Sequence, residues 1–192
     1  MVSDFSSSIV TDIALDPTPN LDHPLRPDDA ALQRIWDAAA DVPDPEIPVI
    51  SIADLGILRG VRLDGDTAVV TITPTYSGCP AMDTITTDVQ AALENAGYPG
   101  AQVDLRLDEA WTTDWITDHG RQALEDYGIA PPSEQEERAA GPVPLTLSPP
   151  VSCPRCKSFN TSKLSHFGST SCKSLYSCNE CHEPFDYFKV LR

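Results

Sequence analysis

The feature that most constrains this chain is a pair of closely spaced cysteine pairs in its last forty residues. "CPRC" at 153–156 and "CNEC" at 178–181 each have C-x2-C spacing, and 21 residues separate them. Each pair can hold one ion from a tight turn, and four thiolates complete a tetrahedron around zinc. The spacing predicts a zinc site formed by Cys153, Cys156, Cys178 and Cys181. Iron, in a rubredoxin-like centre or a cluster, is the alternative, because its ligands would be the same.

Residues 153–192 are predicted to form a small β-rich zinc ribbon that depends on its metal. A module of this size with few large apolar side chains can hardly bury enough surface to fold alone. Zinc binding of about 10–16 kcal/mol, the range of finger peptides, would supply the missing free energy. We expect the ribbon to be folded with metal and disordered without it. A further cysteine, Cys172, is expected on a strand and has no assigned role.

Charge divides unevenly along the chain and argues against nucleic acid as a partner. Residues 1–150 carry 7 arginines against 26 Asp and Glu, a net charge of −19, whereas residues 151–192 carry 6 basic residues against 3 acidic ones, a net charge of +3. This acidic first part of the chain repels phosphate backbones and anionic membranes. Four thiolates on one Zn²⁺ add about −2 and leave the tail nearly neutral. We expect the ribbon to dock onto protein.

The sequence predicts no membrane association and a cytoplasmic location. No stretch approaches the roughly 18 apolar residues of a membrane span. The opening "MVSDFSSSIVTDIALD" lacks the basic start and long apolar run of a secretory signal. In the reducing cytoplasm, grouped cysteines more often bind metal than form disulfides.

Residues 28–129 are predicted to form an α+β domain after a flexible lead-in at 1–27. Apolar residues at helical spacing mark the helices, and alternating β-rich runs mark the strands. Asp64-Gly65 is a strong signal for a tight turn between two strands. The predicted elements are a helix at 27–42, an extended proline-rich loop at 43–56, a hairpin at 57–76, a helix at 80–97, a strand at 101–107 and a helix at about 114–127.

This order of elements predicts the fold class α+β, with a small mixed sheet packed by helices and followed by the ribbon. Between the two parts, residues 130–152 contain six prolines and an acidic run. Such a composition packs poorly as helix or central strand, so the segment is predicted to be a linker.

A lone cysteine, Cys79, stands in "TPTYSGCPAMDT", where a strand is expected to end and a helix to begin. Pro80 suits the first helical position, which would place Cys79 close to the N-cap. Free N–H groups and the helix dipole there would lower the pKa of the thiol and favour an exposed thiolate. The competing interpretation is a small buried filler, the usual fate of a free cysteine.

Two acidic residues, Asp44 and Glu46, are candidate oxygen ligands beside Cys79. They stand in "DPE" on the proline-rich loop, and taken alone they are solvated carboxylates of an acidic protein. One cysteine cannot hold a cluster by itself. Binding at Cys79 would therefore need nearby oxygen ligands or a second subunit, which leaves a homo-oligomer open.

Three stretches give this sequence a family resemblance. "DPEIPVISIADLGILRGV", "TPTYSGCPAM" and "EAWTTDWI" together resemble the iron–sulfur assembly domain of cytosolic targeting machinery and bacterial cluster-maturation proteins. That domain, followed by "CPRC…FGSTSCKSLYSC…CHEPFDYFK", resembles the family of D subunits of the phenylacetyl-CoA epoxidase system of aerobic phenylacetate breakdown. The resemblance covers about residues 28–192.

The resemblance implies a bacterial accessory protein without catalysis of its own, whose partners are the oxygenase and reductase subunits of a multicomponent epoxidase. It implies a part in maturation, with iron or an iron–sulfur cluster held transiently and loaded into those partners. The family's motif cysteine corresponds to Cys79, its acidic motif to Asp44 and Glu46, and its tail cysteines to the four predicted zinc ligands. The sequence shows no Glu-x-x-His pair for a di-iron site and no Gly-rich dinucleotide loop.

Two other functions stay open at this point. One is a non-catalytic scaffold protein that docks the oxygenase complex without transferring metal. The other is an enzyme that uses Cys79 as an acyl-carrying nucleophile, with His119 approaching it in space as the base.

Overall fold

The computed structural model describes residues 20–132 and 151–190. Most of the predicted lead-in, 1–19, and most of the predicted linker, 133–150, lie outside these residues. Within the described ranges, no helix is long and apolar enough to cross a membrane.

The first part of the chain has the predicted α+β order. The first two strands pair antiparallel and the third lies parallel to the second, so the three-stranded sheet is mixed, as the sequence predicts. Helices pack against this sheet and against each other. The elements are α1 (Ala30–Ala40), β1 (Leu58–Asp64), β2 (Thr67–Ile72), α2 (Met82–Asn95), β3 (Gln102–Leu105), a 3-10 turn (Thr113–Trp115) and α3 (Asp118–Asp126).

Helix α1 begins later than its proline suggests, because Asp29 is its N-cap. The Asp29 carboxylate accepts hydrogen bonds from the backbone N–H groups of Ala31 and Leu32 at 2.9 and 3.1 Å. Capping of this kind satisfies donors that the first helical turn leaves unpaired. The helix buries Ile35 and Trp36 completely.

The predicted extended loop at 43–56 is instead folded into turns. Pro43 forms an isolated bridge with Ser51, and the backbone N–H of Asp44 donates to the carbonyl of Ile50 at 2.9 Å. Its apolar residues then point into the core, with Ile47 and Ile52 almost fully buried. The prolines exclude a regular helix, but burial of this apolar surface favours a compact loop over an extended one.

The ribbon contributes a second, four-stranded sheet. Strands β5 (Thr161–Ser165), β6 (Lys173–Cys178) and β7 (Pro184–Phe188) form an antiparallel meander, and β4 (Ile129–Ala130) pairs parallel with β7. The predicted domain limit between 129 and 130 falls inside β4, so this short strand joins the sheet of the other part.

The two parts share one hydrophobic core. Phe188 of β7 is fully buried in the main core, with its ring 6.0 Å from that of Trp111. The indole N–H of Trp111 donates to the carbonyl of Leu55 at 3.1 Å. On the surface, the ammonium of Lys157 pairs with the carboxylate of Glu125 at 2.6 Å. The ribbon is therefore packed onto the first part.

A buried carboxylate, Asp54, joins three segments of the first part. It accepts hydrogen bonds from Asn20 Nδ2 at 2.9 Å, Ser51 Oγ at 3.1 Å and Thr117 Oγ1 at 2.5 Å. His119 Nδ1 lies 2.9 Å from its second oxygen. The histidine considered as a base for Cys79 is thus engaged by Asp54.

We expect Asp54→Asn to reduce stability at neutral pH by about 1–3 kcal/mol, the cost of disturbing buried hydrogen bonds to a charged group. Burial alone would raise the pKa of Asp54, but hydrogen bonds from Thr117, Asn20 and His119 hold it below its ordinary value. A lowered folded-state pKa stabilises the fold above the unfolded pKa of about 3.9, and this contribution is lost as pH falls through the folded pKa.

Denaturant unfolding from pH 7 down to pH 2 measures this effect. The acid loss of stability should be smaller in Asp54→Asn than in the wild type. Asp88→Asn, at an exposed position of α2, is the matched control and should leave the profile unchanged. Parallel pH profiles for wild type and Asp54→Asn would contradict the prediction.

Candidate metal centres

The structure brings the four predicted zinc ligands of the ribbon together. Sγ of Cys153 lies 3.7 Å from Sγ of Cys181, and Sγ of Cys156 lies 3.5 Å from Sγ of Cys178. All four sulfurs lie within 4.8 Å of one another. A tetrahedral zinc with bonds of about 2.3 Å needs sulfurs about 3.8 Å apart. All six cysteines are free, and the ribbon cysteines have the donor type and spacing of a four-thiolate metal site.

Each cysteine pair lies in a turn of the same design. The N–H of Lys157 donates to the carbonyl of Cys153 at 2.9 Å, and that of His182 donates to the carbonyl of Cys178 at 3.0 Å. Lys157 and His182 both have left-handed backbone angles, with φ of 61° and 60°. The two turns share a conformation because each must direct two sulfurs, with N–H groups around them, toward the same metal position. His182 therefore has a backbone role here.

Backbone N–H groups prepare one ribbon thiol for ionisation. Donors from Cys181 and Glu180 lower the pKa of Cys178 to about 7. At Cys156, the N–H of Ser158 acts in the same direction, but neighbouring sulfurs outweigh it and raise the pKa to about 12. A divalent ion overcomes the pKa-raising effect of the neighbouring sulfurs, because a thiol that binds the metal loses its proton.

We expect His182→Gly to tighten zinc binding by up to about tenfold and His182→Val to weaken it. A left-handed conformation costs an ordinary residue about 1–2 kcal/mol, glycine is free of this cost, and a β-branched side chain tolerates it worst. The side chain of His182 is exposed, so few other contacts change. Competition with a chromophoric chelator measures the affinities.

Lys157→Gly is the matched control, because Lys157 holds the equivalent position in the other turn. Lys157→Gly also removes the ion pair with Glu125, so its gain should be no larger than that of His182→Gly. Equal affinities for the Gly and Val variants at position 182 would show that the left-handed angle is unimportant.

The lone thiol of Cys79 lies in a turn before α2, two residues before its N-cap Ala81. The helix begins at Met82 with Ala81 as N-cap. The carbonyl of Cys79 accepts from the N–H of Met82 at 3.4 Å, and its own N–H donates to the carbonyl of Tyr76 at 3.2 Å. Gly78 has a φ of 88°, which suits glycine in this turn.

The predicted low pKa of Cys79 is wrong. Partial burial raises the pKa of the thiol, and the carboxylates of Glu46 and Asp44 raise it further. The N–H of Ala81 and the hydroxyl of Tyr76 act in the opposite direction but do not outweigh them. Burial and neighbouring negative charge disfavour a thiolate, so Cys79 carries a neutral, half-buried thiol.

The charges of Glu46 and Asp44 reach the thiol of Cys79, and neither residue is the solvated carboxylate of the simpler interpretation. Asp44 is 6% exposed, and its Oδ1 accepts from the N–H groups of Glu46 and Ile47 at 2.8 and 2.9 Å. Burial raises the pKa of Asp44, and these donors together with Lys173 oppose it. Glu46 is half-buried, and burial and Asp44 raise its pKa. Asp44 thus also holds the loop in shape.

Sequence reasoning left aside two residues, Tyr76 and Cys172. Burial raises the pKa of Tyr76, and the charges of Cys79, Glu46 and Cys172 raise it further, whereas Ser171 opposes them. Cys172 is buried in the turn just before β6, and not on the predicted strand. Its pKa is raised by burial and, in smaller part, by Glu46 and Asp44. The sequence signal that could have drawn attention to Cys172 is the cysteine count: four of the six cysteines fill the ribbon site, and Cys79 and Cys172 remain.

Two family models match the chain. The model of the PaaD zinc beta ribbon domain matches residues 138–189, and that of iron–sulfur cluster assembly proteins matches residues 32–105.

Two relatives and one solved structure are similar to the chain. A protein of Escherichia coli K12, whose name gives it provisionally as the D subunit of 1,2-phenylacetyl-CoA epoxidase, is 47% identical over 160 residues, which cover 83% of this chain and 93% of that protein. An "Fe-S protein maturation auxiliary factor" of Porphyromonas gingivalis W83 is 39% identical over 83 residues, covering 42% of this chain and 78% of that protein. The crystal structure of a domain of unknown function, DUF59, from Bacillus anthracis is 27% identical with a TM-score of 0.45, covering 48% of this chain and 90% of that one.

Proposed function

We propose an accessory role in metallocentre maturation for this chain, and the premise is its family: the chain belongs to the D subunits of 1,2-phenylacetyl-CoA epoxidase. It assists the loading of iron or an iron–sulfur cluster into the oxygenase or reductase subunits and performs no catalysis of its own. It works in the cytoplasm, where its six free cysteines stay reduced.

One observation supports this proposal: Cys79 is half-buried, and the charges of Glu46 and Asp44 act on its thiol. The three residues come from two segments more than thirty positions apart, and both carboxylates affect the ionisation of the thiol. A site with both sulfur and carboxylate oxygen ligands favours iron over cations that prefer oxygen ligands alone. Ser77 and Gly78, which precede Cys79, are both exposed, and Cys79 itself is partly exposed.

The neutral thiol of Cys79 favours transient binding. Each thiol must lose its proton before it binds metal, so a raised pKa weakens the affinity for iron at neutral pH. An ion held in this way is released more easily than one in a permanent four-thiolate site. The direction of the pKa shift at Cys79 therefore supports transfer over storage.

The ribbon takes zinc as a structural ion in this proposal. Four sulfurs at tetrahedral spacing leave no open position for a substrate. The ion joins the turn before β5 to the turn between β6 and β7 and so fixes the strands of the ribbon. Zinc contributes to the shape of the protein and not to the transfer.

Co-expression of the chain with its oxygenase and reductase subunits tests the proposal. We expect Cys79→Ser to lower the iron content of at least one purified client protein several-fold, measured by elemental analysis, without lowering the amount of this chain. The physical reason is the loss of the sulfur that contacts the ion. Ser77→Ala, two positions away in the same turn, is the matched control and should leave client iron unchanged.

The same experiment separates maturation from a scaffold role. A scaffold would co-purify with its partners and would support full client iron in the Cys79→Ser variant. That result would overturn the proposed maturation role.

A further inference from the structure

We infer that the free edge of β5 in the ribbon is a docking surface, to which a client protein adds an extended segment with apolar and acidic side chains. This docking edge consists of β5 (Thr161–Ser165) with Phe159, Phe167 and Lys189 beside it. The inference rests on the proposed function, because the occupant is the client of that function, and it names the surface by which the two proteins meet.

Strand β5 is an edge strand that the fold does not bury. The order of the sheet is β4-β7-β6-β5, so β5 pairs with β6 on one side, and no described strand pairs with it on the other. Every residue from Ser162 to Ser165 is exposed, and Thr161 is partly exposed. Such an edge offers a row of backbone N–H and C=O groups to an added strand.

Three large apolar side chains follow this edge in the solvent. Phe159, Leu164 and Phe167 are 63%, 59% and 62% exposed. The register against β6 shifts between Lys163 and Ser165, so Leu164 lies in a bulge, a feature that re-aims a side chain. Single exposed apolar residues are ordinary, whereas three along one free edge indicate an interaction site.

Neighbouring side chains hold the ring of Phe167 in its exposed position. The ring of His166 meets it edge-on, with centroids 4.9 Å apart and planes at 82°. Lys189 Nζ lies 4.6 Å from the ring centroid of Phe167 and donates to the carbonyl of His166 at 3.4 Å. An aromatic ring that is already fixed loses little entropy when a partner covers it.

The docking edge is positively charged, although the chain as a whole is strongly acidic. Residues 157–179, which include all of β5 and β6, contain three lysines and no Asp or Glu. Lys163 Nζ lies 5.6 Å from the ring centroid of Tyr176. Among the described residues, neither Lys163 nor Lys189 forms an ion pair with a carboxylate.

The acidic residues of the ribbon are all engaged elsewhere. Their partners within the ribbon are Asn160 for Glu180 at 2.9 Å, Arg155 for Glu183, and Ser169 for Asp186 at 2.7 Å. The lysines of the docking edge are therefore left for carboxylates of another protein. Complementary charge of this kind favours an acidic partner and speeds its association.

The same charge argues against a second copy of this chain as the occupant. Lys163 is the middle residue of β5, so antiparallel pairing of two β5 strands would place Lys163 opposite Lys163. Like charges directly opposite one another destabilise a strand pair. A lysine at the centre of a free edge thus rejects self-association and admits an acidic strand.

Binding of the purified oxygenase and reductase subunits, each in turn, to the full-length protein tests the inference by calorimetry. We expect Leu164→Ser and Phe167→Ser each to weaken binding of one subunit by about tenfold or more, as for residues at the centre of an interface. Leu107→Ser is the matched control, because Leu107 is a leucine of the first part with 67% exposure, and it should leave the affinity unchanged. Unchanged affinity in either ribbon variant, or no binding of either subunit, would overturn the inference.

Charge variants test the acidic nature of the partner. Lys163→Glu should weaken the same binding by about tenfold or more, because it places like charges across the interface. Lys163→Arg keeps the charge and should keep the affinity. Equal affinities of Lys163→Glu and wild type would contradict an acidic occupant.

Hydrogen exchange of the full-length protein distinguishes an added strand from docking of side chains alone. The alternate β5 amides that do not pair with β6 should exchange fast in the free protein and slowly in the complex. Fast exchange in the complex would exclude an added strand. Slow exchange in the free protein would show that another segment of this chain or a second copy already covers the edge, which would also overturn the inference.

The outcomes separate this inference from the proposed function. Weakened binding in Leu164→Ser together with full client iron in Cys79→Ser supports the docking edge and removes the maturation role. Unchanged binding in Leu164→Ser together with reduced client iron in Cys79→Ser leaves maturation standing and removes the docking edge.

Discussion

Cys178→Ser is expected to unfold the ribbon while the first part of the chain stays folded. The apparent free energy of zinc binding to finger peptides is about 10–16 kcal/mol, and loss of a ligand removes a large share of it. The second hydrophobic cluster, to which Ala130 and Val151 also contribute, is too small to order a module of this size. The mixed sheet of the first part needs no metal.

Amide spectra of an isotopically labelled protein measure this effect residue by residue. Amide signals of β5, β6 and β7 should move to the chemical shifts of an unfolded chain. Those of α1 and of β1, β2 and β3 should stay at their folded positions. A chelator added to the wild type should give the same pattern. Cys172→Ser is the matched control, because this cysteine is buried but lies outside the four-sulfur group. Persistent ribbon signals in Cys178→Ser would show that the apolar contacts alone hold the fold.

Phe188→Ala is expected to destabilise the protein by about 3–5 kcal/mol, the usual cost of truncating a buried aromatic side chain. The ring of Phe188 is fully buried against Trp111, and it is the contact by which β7 joins the main core. Its loss leaves a cavity at the junction of the two parts. We also expect the ribbon to detach more readily, since β7 loses the aromatic ring that it buries in the main core.

Phe159→Ala is the matched control, because Phe159 belongs to the same ribbon but is 63% exposed. Its cost should stay within about 0.5 kcal/mol, as for most surface substitutions. Denaturant unfolding measures both values. Similar costs at the two positions would mean that Phe188 does not anchor the ribbon.

A thiol with a raised pKa changes how the site around Cys79 is expected to work. A helix N-terminus would have produced a permanently ionised, strongly binding sulfur. The observed environment keeps the sulfur neutral until a cation arrives, because burial and, in smaller part, Glu46 and Asp44 oppose its ionisation. The same carboxylates that disfavour the thiolate would then favour the metal.

Features set by short-range interactions could be predicted from the sequence. The four-sulfur site follows from C-x2-C spacing, because each turn orients its own two sulfurs with local N–H groups. The hairpin follows from Asp64-Gly65, where a tight turn fixes the register of β1 and β2. The apolar stripe of α2 buries Ile85 and Leu93, as helical spacing requires.

Features that depend on distant residues were decided only by the tertiary structure. The ionisation of Cys79 depends on burial and on Asp44 and Glu46, more than thirty residues away. The place of Cys172 depends on the packing of the ribbon onto the first part, which no local pattern encodes. Desolvation and charge act through space, so sequence spacing defines the turn around a thiol but not the environment that its sulfur meets.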